Sequence, residues 1–120
     1  MRIDFSTRLP SLSASVDAGV QTEIASVIAL VSREKNVPIR LIVHFSRCRA
    51  GAARARQIAM YLCHVVFGAS LAEIGLAFGR DRTTVSHACG LIEDLRDDPA
   101  FDAELERLET VLLGGEQAHA

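Results

Sequence analysis

Apolar residues along this chain recur at the spacing of a helix, and no segment pairs with another as alternating strands would. Val20, Ile24, Val27, Ile28 and Val31 form the first stripe, which predicts an amphipathic helix ending near Lys35-Asn36. Asn36-Val37-Pro38 is a break, and Pro38 suits the first position of a short second helix through Leu41 and Val43. A basic connector, His44 to Gly51, leads into a third helix from about Ala52 to Phe67, whose buried stripe is expected at Ile58, Leu62, Val65 and Val66. Gly68 ends it.

The pattern is densest between Ser70 and Cys89. Ser70 followed three residues later by Glu73 is a capping box, so a helix should begin at Leu71 and turn Leu71, Ile74 and Phe78 to a core before Gly79 stops it. Asp81 is a second cap, and behind it Val85, Ala88, Ile92 and Leu95 define another buried stripe. The opposite face of that helix begins with Arg82, Thr83 and Ser86. A short helix, a tight turn containing glycine, and a second helix with hydrogen-bonding side chains at its exposed start describe a helix-turn-helix suited to a major groove.

Asp98-Pro99 reads as a cap and first residue of a last helix, with Phe101, Leu105, Leu108 and Leu112 on one side and Gly114-Gly115 at its end. That stripe either closes the domain's own core or forms a seam shared with a second chain. The expected architecture is all-α, six helices in one domain: a flexible N-terminal arm over residues 1–18, the helical body over 19–113 and a frayed tail over 114–120.

With 120 residues and nearly half of them apolar, the chain has enough material for one buried core. It has no run of 18 apolar residues to span a membrane and no continuous apolar stretch near its start to act as a secretory signal, so the cytoplasm is the expected location. Cys48, Cys63 and Cys89 match no common zinc spacing; Cys63 and Cys89 read as small core residues. The pairs His64 with Cys63 and His87 with Cys89 diverge on a helix, so metal binding is not expected, and Ser86, His87 and Cys89 diverge within one helical turn, so no nucleophile–base pair is expected either. The reading is a protein without cofactor and without catalysis.

Charge changes the picture. The net value is −2, yet residues 33–82 hold nine arginines and lysines against three acids, a local charge of +6, while residues 93–120 sum to −7. One side facing phosphate and another facing solvent or a partner would produce this segregation. Arg54 and Arg56, placed in the first turn of the third helix, oppose its macrodipole, and a phosphate oxygen would satisfy both them and the free N–H groups there.

Three blocks in order, Arg54-Ala-Arg-Gln-Ile-Ala-Met-Tyr-Leu62, Ser70-Leu-Ala-Glu-Ile-Gly75 and Arg80-Asp-Arg-Thr-Thr-Val-Ser-His-Ala-Cys89, resemble the C-terminal DNA-binding domain of the bacterial replication initiators, the DnaA family. The resemblance covers roughly residues 20 to 96 and implies a Trp-repressor-like helix-turn-helix. It implies base contacts from Asp81, Arg82, Thr83 and Thr84. The family's minor-groove arginine aligns with Cys48, where the flanking Arg47 or Arg49 would serve, and Arg56 and Gln57 match backbone contacts. Arg54, Arg80, Ser86 and His87 complete the phosphate-facing set.

The departures matter too. Arg82 stands where the family has histidine, which favours guanine; His64 replaces a phosphate-holding lysine; and the turn carries one glycine instead of two. Lys35, the only lysine, follows Glu34, so no Gly-Lys-Ser/Thr phosphate loop exists in this sequence and no nucleotide is expected. The sequence reading is therefore a stand-alone domain that binds double-stranded DNA at the nucleoid and regulates transcription or replication initiation. The alternative is a protein–protein adaptor, or a homodimer, acting through the acidic last helix.

Overall fold

The computed structural model describes residues 18–44 and 50–114. The expected arm before Ala18, the connector arginines Arg47 and Arg49, and the tail beyond Gly114 lie outside the described residues. Six helices follow one another: α1 Ala18–Lys35, α2 Ile39–Val43, α3 Ala50–Phe67, α4 Leu71–Phe78, α5 Arg82–Leu95 and α6 Pro99–Leu112.

Helix α3 is the axis. Ala55, Ile58, Ala59, Met60, Tyr61, Leu62 and Cys63 are all buried, so it is covered over most of its circumference, and each of the other five helices packs against it. That arrangement explains a run unusually rich in small and apolar residues where a surface helix would show one stripe. The core is completed by Ile24, Val27, Leu30 and Val31 of α1, Ile42 of α2, Ile74 and Phe78 of α4, and Val85, Ala88 and Ile92 of α5. Burial pushes the Cys63 thiol up to about 12, with the nearby Cys89 adding to the shift, as a core thiol requires.

Three details differ from the sequence expectation. Helix α3 starts at Ala50, two residues early, so Arg54 and Arg56 fall in its second turn and do not oppose its N-terminal dipole. Val65 is 44% exposed, because the stripe that faces α1 and α5 has rotated past it by the end of the helix. Pro38 caps α2 from outside it, and Ile39 is the first helical residue.

The last helix closes the domain's own core. Leu105 and Leu108 are fully buried within this one chain, with Phe101 and Leu112 packed beside them, so of the two expected uses of the stripe this is closure of the domain's own core. Charge helps to seat it: Lys35 Nζ reaches Glu104 Oε2 at 2.7 Å and Arg107 Nη2 reaches Glu34 Oε1 at 2.8 Å. Lys35, counted with the basic half in sequence, thus belongs to the acidic end in space.

Candidate nucleic-acid interface

Local signals in the sequence build the helix-turn-helix almost unaided. Ser70 Oγ accepts from the Glu73 N–H at 3.0 Å and Glu73 Oε1 accepts from the Ser70 N–H at 2.8 Å, a complete capping box that starts α4. Gly79 ends α4 in the left-handed conformation at φ 67°, and the Arg80 N–H closes onto the Gly75 carbonyl at 2.9 Å. Asp81 Oδ1 then accepts from the Thr84 N–H at 2.9 Å and opens α5. Those amide bonds hold the Asp81 carboxyl below its ordinary range, with the Thr84 N–H the main cause.

The turn is tight because Gly75 has no side chain. A Cβ there would lie 2.5 Å from the Arg80 carbonyl oxygen, so this buried glycine lets the start of the turn rest on α4. Sequence reading quoted Gly75 within a motif without assigning it this role. A glycine retained inside a helix at a cost of about 1 kcal/mol relative to alanine was the available signal.

Helix α5 buries Val85, Ala88 and Ile92 and turns the other side outward. Directly opposite that stripe lie Thr83 and Gly90, flanked by Ser86 and His87, while Arg82 and Thr84 sit at the two edges of the face; all six are exposed. Nothing approaches the Gly90 Cβ position within 4 Å, so the middle of this face is smooth. The first turn of α5 carries cationic and hydroxyl side chains on a rigid, capped support, a geometry that suits reading base edges.

The other expected residues divide. Arg54 Nε donates to Gln57 Oε1 at 3.1 Å, which brings the two together on α3. Arg56 turns toward α2, its Nε donating to the Ile42 carbonyl and its Nη2 to the Leu41 carbonyl, both at 2.9 Å. These are carbonyls the end of a short helix leaves unsatisfied, so Arg56 braces α2. Arg80 Nη1 donates to the Phe78 carbonyl at 3.1 Å, across the turn. His64 Nδ1 donates to the Ala69 carbonyl at 2.9 Å and ties the loop between α3 and α4. Among the described residues no cluster of His, Cys, Asp and Glu could hold a metal, and no helix is long and apolar enough to cross a membrane.

Comparison with known proteins places this geometry. Residues 24–92 match the family described as the bacterial dnaA protein helix-turn-helix. The chain is 40% identical over 91 residues to the chromosomal replication initiator protein DnaA of Acinetobacter baumannii strain AYE, an alignment covering 74% of this chain and 19% of that protein. It is 42% identical over 90 residues to the DnaA of Symbiobacterium thermophilum, covering 73% of this chain and 19% of the relative. The chain thus spans about a fifth of the length of the curated relatives it matches. A crystal structure of a DNA replication initiation factor superposes with a TM-score of 0.74 at 30% identity, over 83% of this chain and 31% of the other. With more than half of its residues inside the family match, and its six helices in the fold of that initiation factor, the chain belongs to the bacterial dnaA helix-turn-helix family.

Proposed function

We propose that this chain binds double-stranded DNA in a sequence-specific way through α5 and acts as a small regulator of transcription or of replication initiation at the bacterial chromosome. The observation that carries the reading is the exposed first turn of α5, fixed by the Asp81 cap and by the turn resting on Gly75, within a chain of this family. Arg82, Thr83 and Thr84 read bases, Arg82 as a fork to a guanine, while Asp81 orients the turn. Arg54 with Gln57, Arg80, Ser86 and His87 take phosphates. Arg47 and Arg49 enter the adjacent minor groove. Arg56 supports the site from beneath through α2.

The fold gives intramolecular partners to part of what motivated the adaptor reading. The apolar stripe of α6 is buried in this chain's own core, and its Asp102, Glu104 and Glu109 carboxylates are engaged by Arg96 and Lys35.

Selection from a random duplex library at two salt concentrations, with Arg82→Ala alongside, tests the reading. The expected outcome is one enriched motif that the variant no longer selects. Weak, salt-labile and sequence-blind binding by the parent chain would refute base reading and move the adaptor to first place.

A further inference from the structure

The far end of α5 is held by a network that reaches outside the helix-turn-helix, to α3 and α6. Arg96, the residue that caps α5, sends Nε to Asp102 Oδ1 and Nη1 to Glu109 Oε2 at 2.7 Å, both on α6, and Nη1 also donates to the Tyr61 hydroxyl at 3.0 Å on α3. The Tyr61 hydroxyl donates in turn to Glu93 Oε2 on α5 at 3.1 Å, and the Arg96 guanidinium carbon lies 5.8 Å from the Tyr61 ring centre. Tyr61 is buried and the Arg96 side chain is 15% exposed, so the guanidinium end of the network is largely withdrawn from water, while the Asp102 carboxylate, 40% exposed, stays at the surface. Arg96 thus makes two side-chain hydrogen bonds from the end of α5 to α6.

Helix α5 has 14 residues and is therefore about 20 Å long. It is anchored in the core by Val85, Ala88 and Ile92, with the proposed base-reading residues at one end and Arg96 at the other. A tilt of about 6° around its midpoint moves either end by about 1 Å, enough to spoil a bidentate hydrogen bond. The clamp at one end therefore governs the aim of the other.

We propose that Arg96 is a positioning residue: by locking the C-terminal end of α5 between α3 and α6 it sets the inclination of the helix, and α6 serves as the brace of the reading head. The inference rests on the DNA-binding reading for its consequence, while the coupling along α5 stands apart from it.

The test compares the parent chain with Arg96→Met, Arg96→Lys and Tyr61→Phe, the last removing a single hydroxyl so that folding is retained. Two quantities are read well below the melting temperature of each: amide hydrogen exchange along α5, and affinity for the selected duplex against a scrambled one. Arg96→Met should accelerate exchange from Arg82 through Gly90 as well as near Arg96, and should weaken the selected duplex at least tenfold with the scrambled one changed by less than twofold. Tyr61→Phe should shift both in the same direction by a smaller factor, and Arg96→Lys should recover part of each. Faster exchange confined to residues 92–113 overturns the coupling, whether or not the chain discriminates between duplexes. An equal fall in both affinities reveals a loss of folded protein and overturns the positioning role. No preference in the parent chain refutes the base-reading proposal, and the exchange pattern along α5 then decides the inference alone.

Discussion

Gly75 and Arg80 meet closely enough to exclude a methyl group: the Cβ position of the first lies 2.5 Å from the carbonyl oxygen of the second, far inside van der Waals contact. Gly75→Ala therefore sets two effects against each other. Alanine favours the helix by up to about 1 kcal/mol, but the turn has to move off α4, and its backbone cannot rotate away as a flexible side chain would. The clash should win, with a net loss of about 1–3 kcal/mol in denaturant unfolding. A variant as stable as the parent would show that the turn tolerates the shift.

Asp81 has two duties to separate, since it caps α5 and also stands in the proposed base-reading segment. An asparagine side chain caps a helix as well as an aspartate does, so Asp81→Asn should hold the melting temperature near neutral pH while Asp81→Ala lowers it by a few degrees. The sign of the pH effect follows from its depressed carboxyl. Because the folded value is below the unfolded one, near 3.8, the stabilisation is present above that value and is lost as pH falls through the folded value. Thermal melts between pH 5 and pH 2 should therefore fall further for the parent than for Asp81→Asn, whose cap carries no ionisable group. Parallel curves would leave the cap bond alone responsible.

Leu108 is fully buried in the monomer, and that distinguishes a core residue from a seam. Leu108→Ala should destabilise the chain by about 2–5 kcal/mol, and the melting temperature should not depend on protein concentration in parent or variant. A melting temperature that climbs with concentration would restore the dimer seam that the sequence left open.

How much of this was legible follows from which signals are local. Ser70 with Glu73, Asp81 and Asp98-Pro99 each act within one helical turn, and every one of these caps is where the sequence placed it. The stripe Val85, Ala88, Ile92 was legible for the same reason: its partner surface does not need to be known to see that one side is apolar. The bonds that Arg56 and Lys35 make could not be read because their partners are remote. The Ile42 carbonyl that receives Arg56 is 14 residues away and the Glu104 carboxylate that receives Lys35 is 69 away, and nothing in the spacing of charges announces either. Arg96 was passed over likewise, since a single cation in an acidic stretch gains its meaning only when Tyr61, Asp102 and Glu109 converge on it.

The contrast between Arg54 and Arg56 gives the sharpest check on the proposed phosphate contacts. They lie two residues apart on α3, and charge alone would make them equivalent. Their side chains are not: Arg54 is linked by its Nε to Gln57 on its own helix, whereas the Arg56 fork grips the carbonyls of Leu41 and Ile42. Arg54→Ala should therefore weaken binding uniformly across sequences and reduce the slope of log affinity against log salt by about 1, one released counterion, with little change in melting temperature. Arg56→Ala should instead lower the melting temperature, because it strands carbonyls at the end of α2, and any loss of affinity should track the loss of folded protein. Titrations across a range of salt concentrations with paired thermal melts separate the two. If Arg56→Ala reduces the salt slope as Arg54→Ala does, at unchanged stability, its guanidinium leaves α2 for the phosphate when DNA arrives, and its place in the site is that of a direct contact.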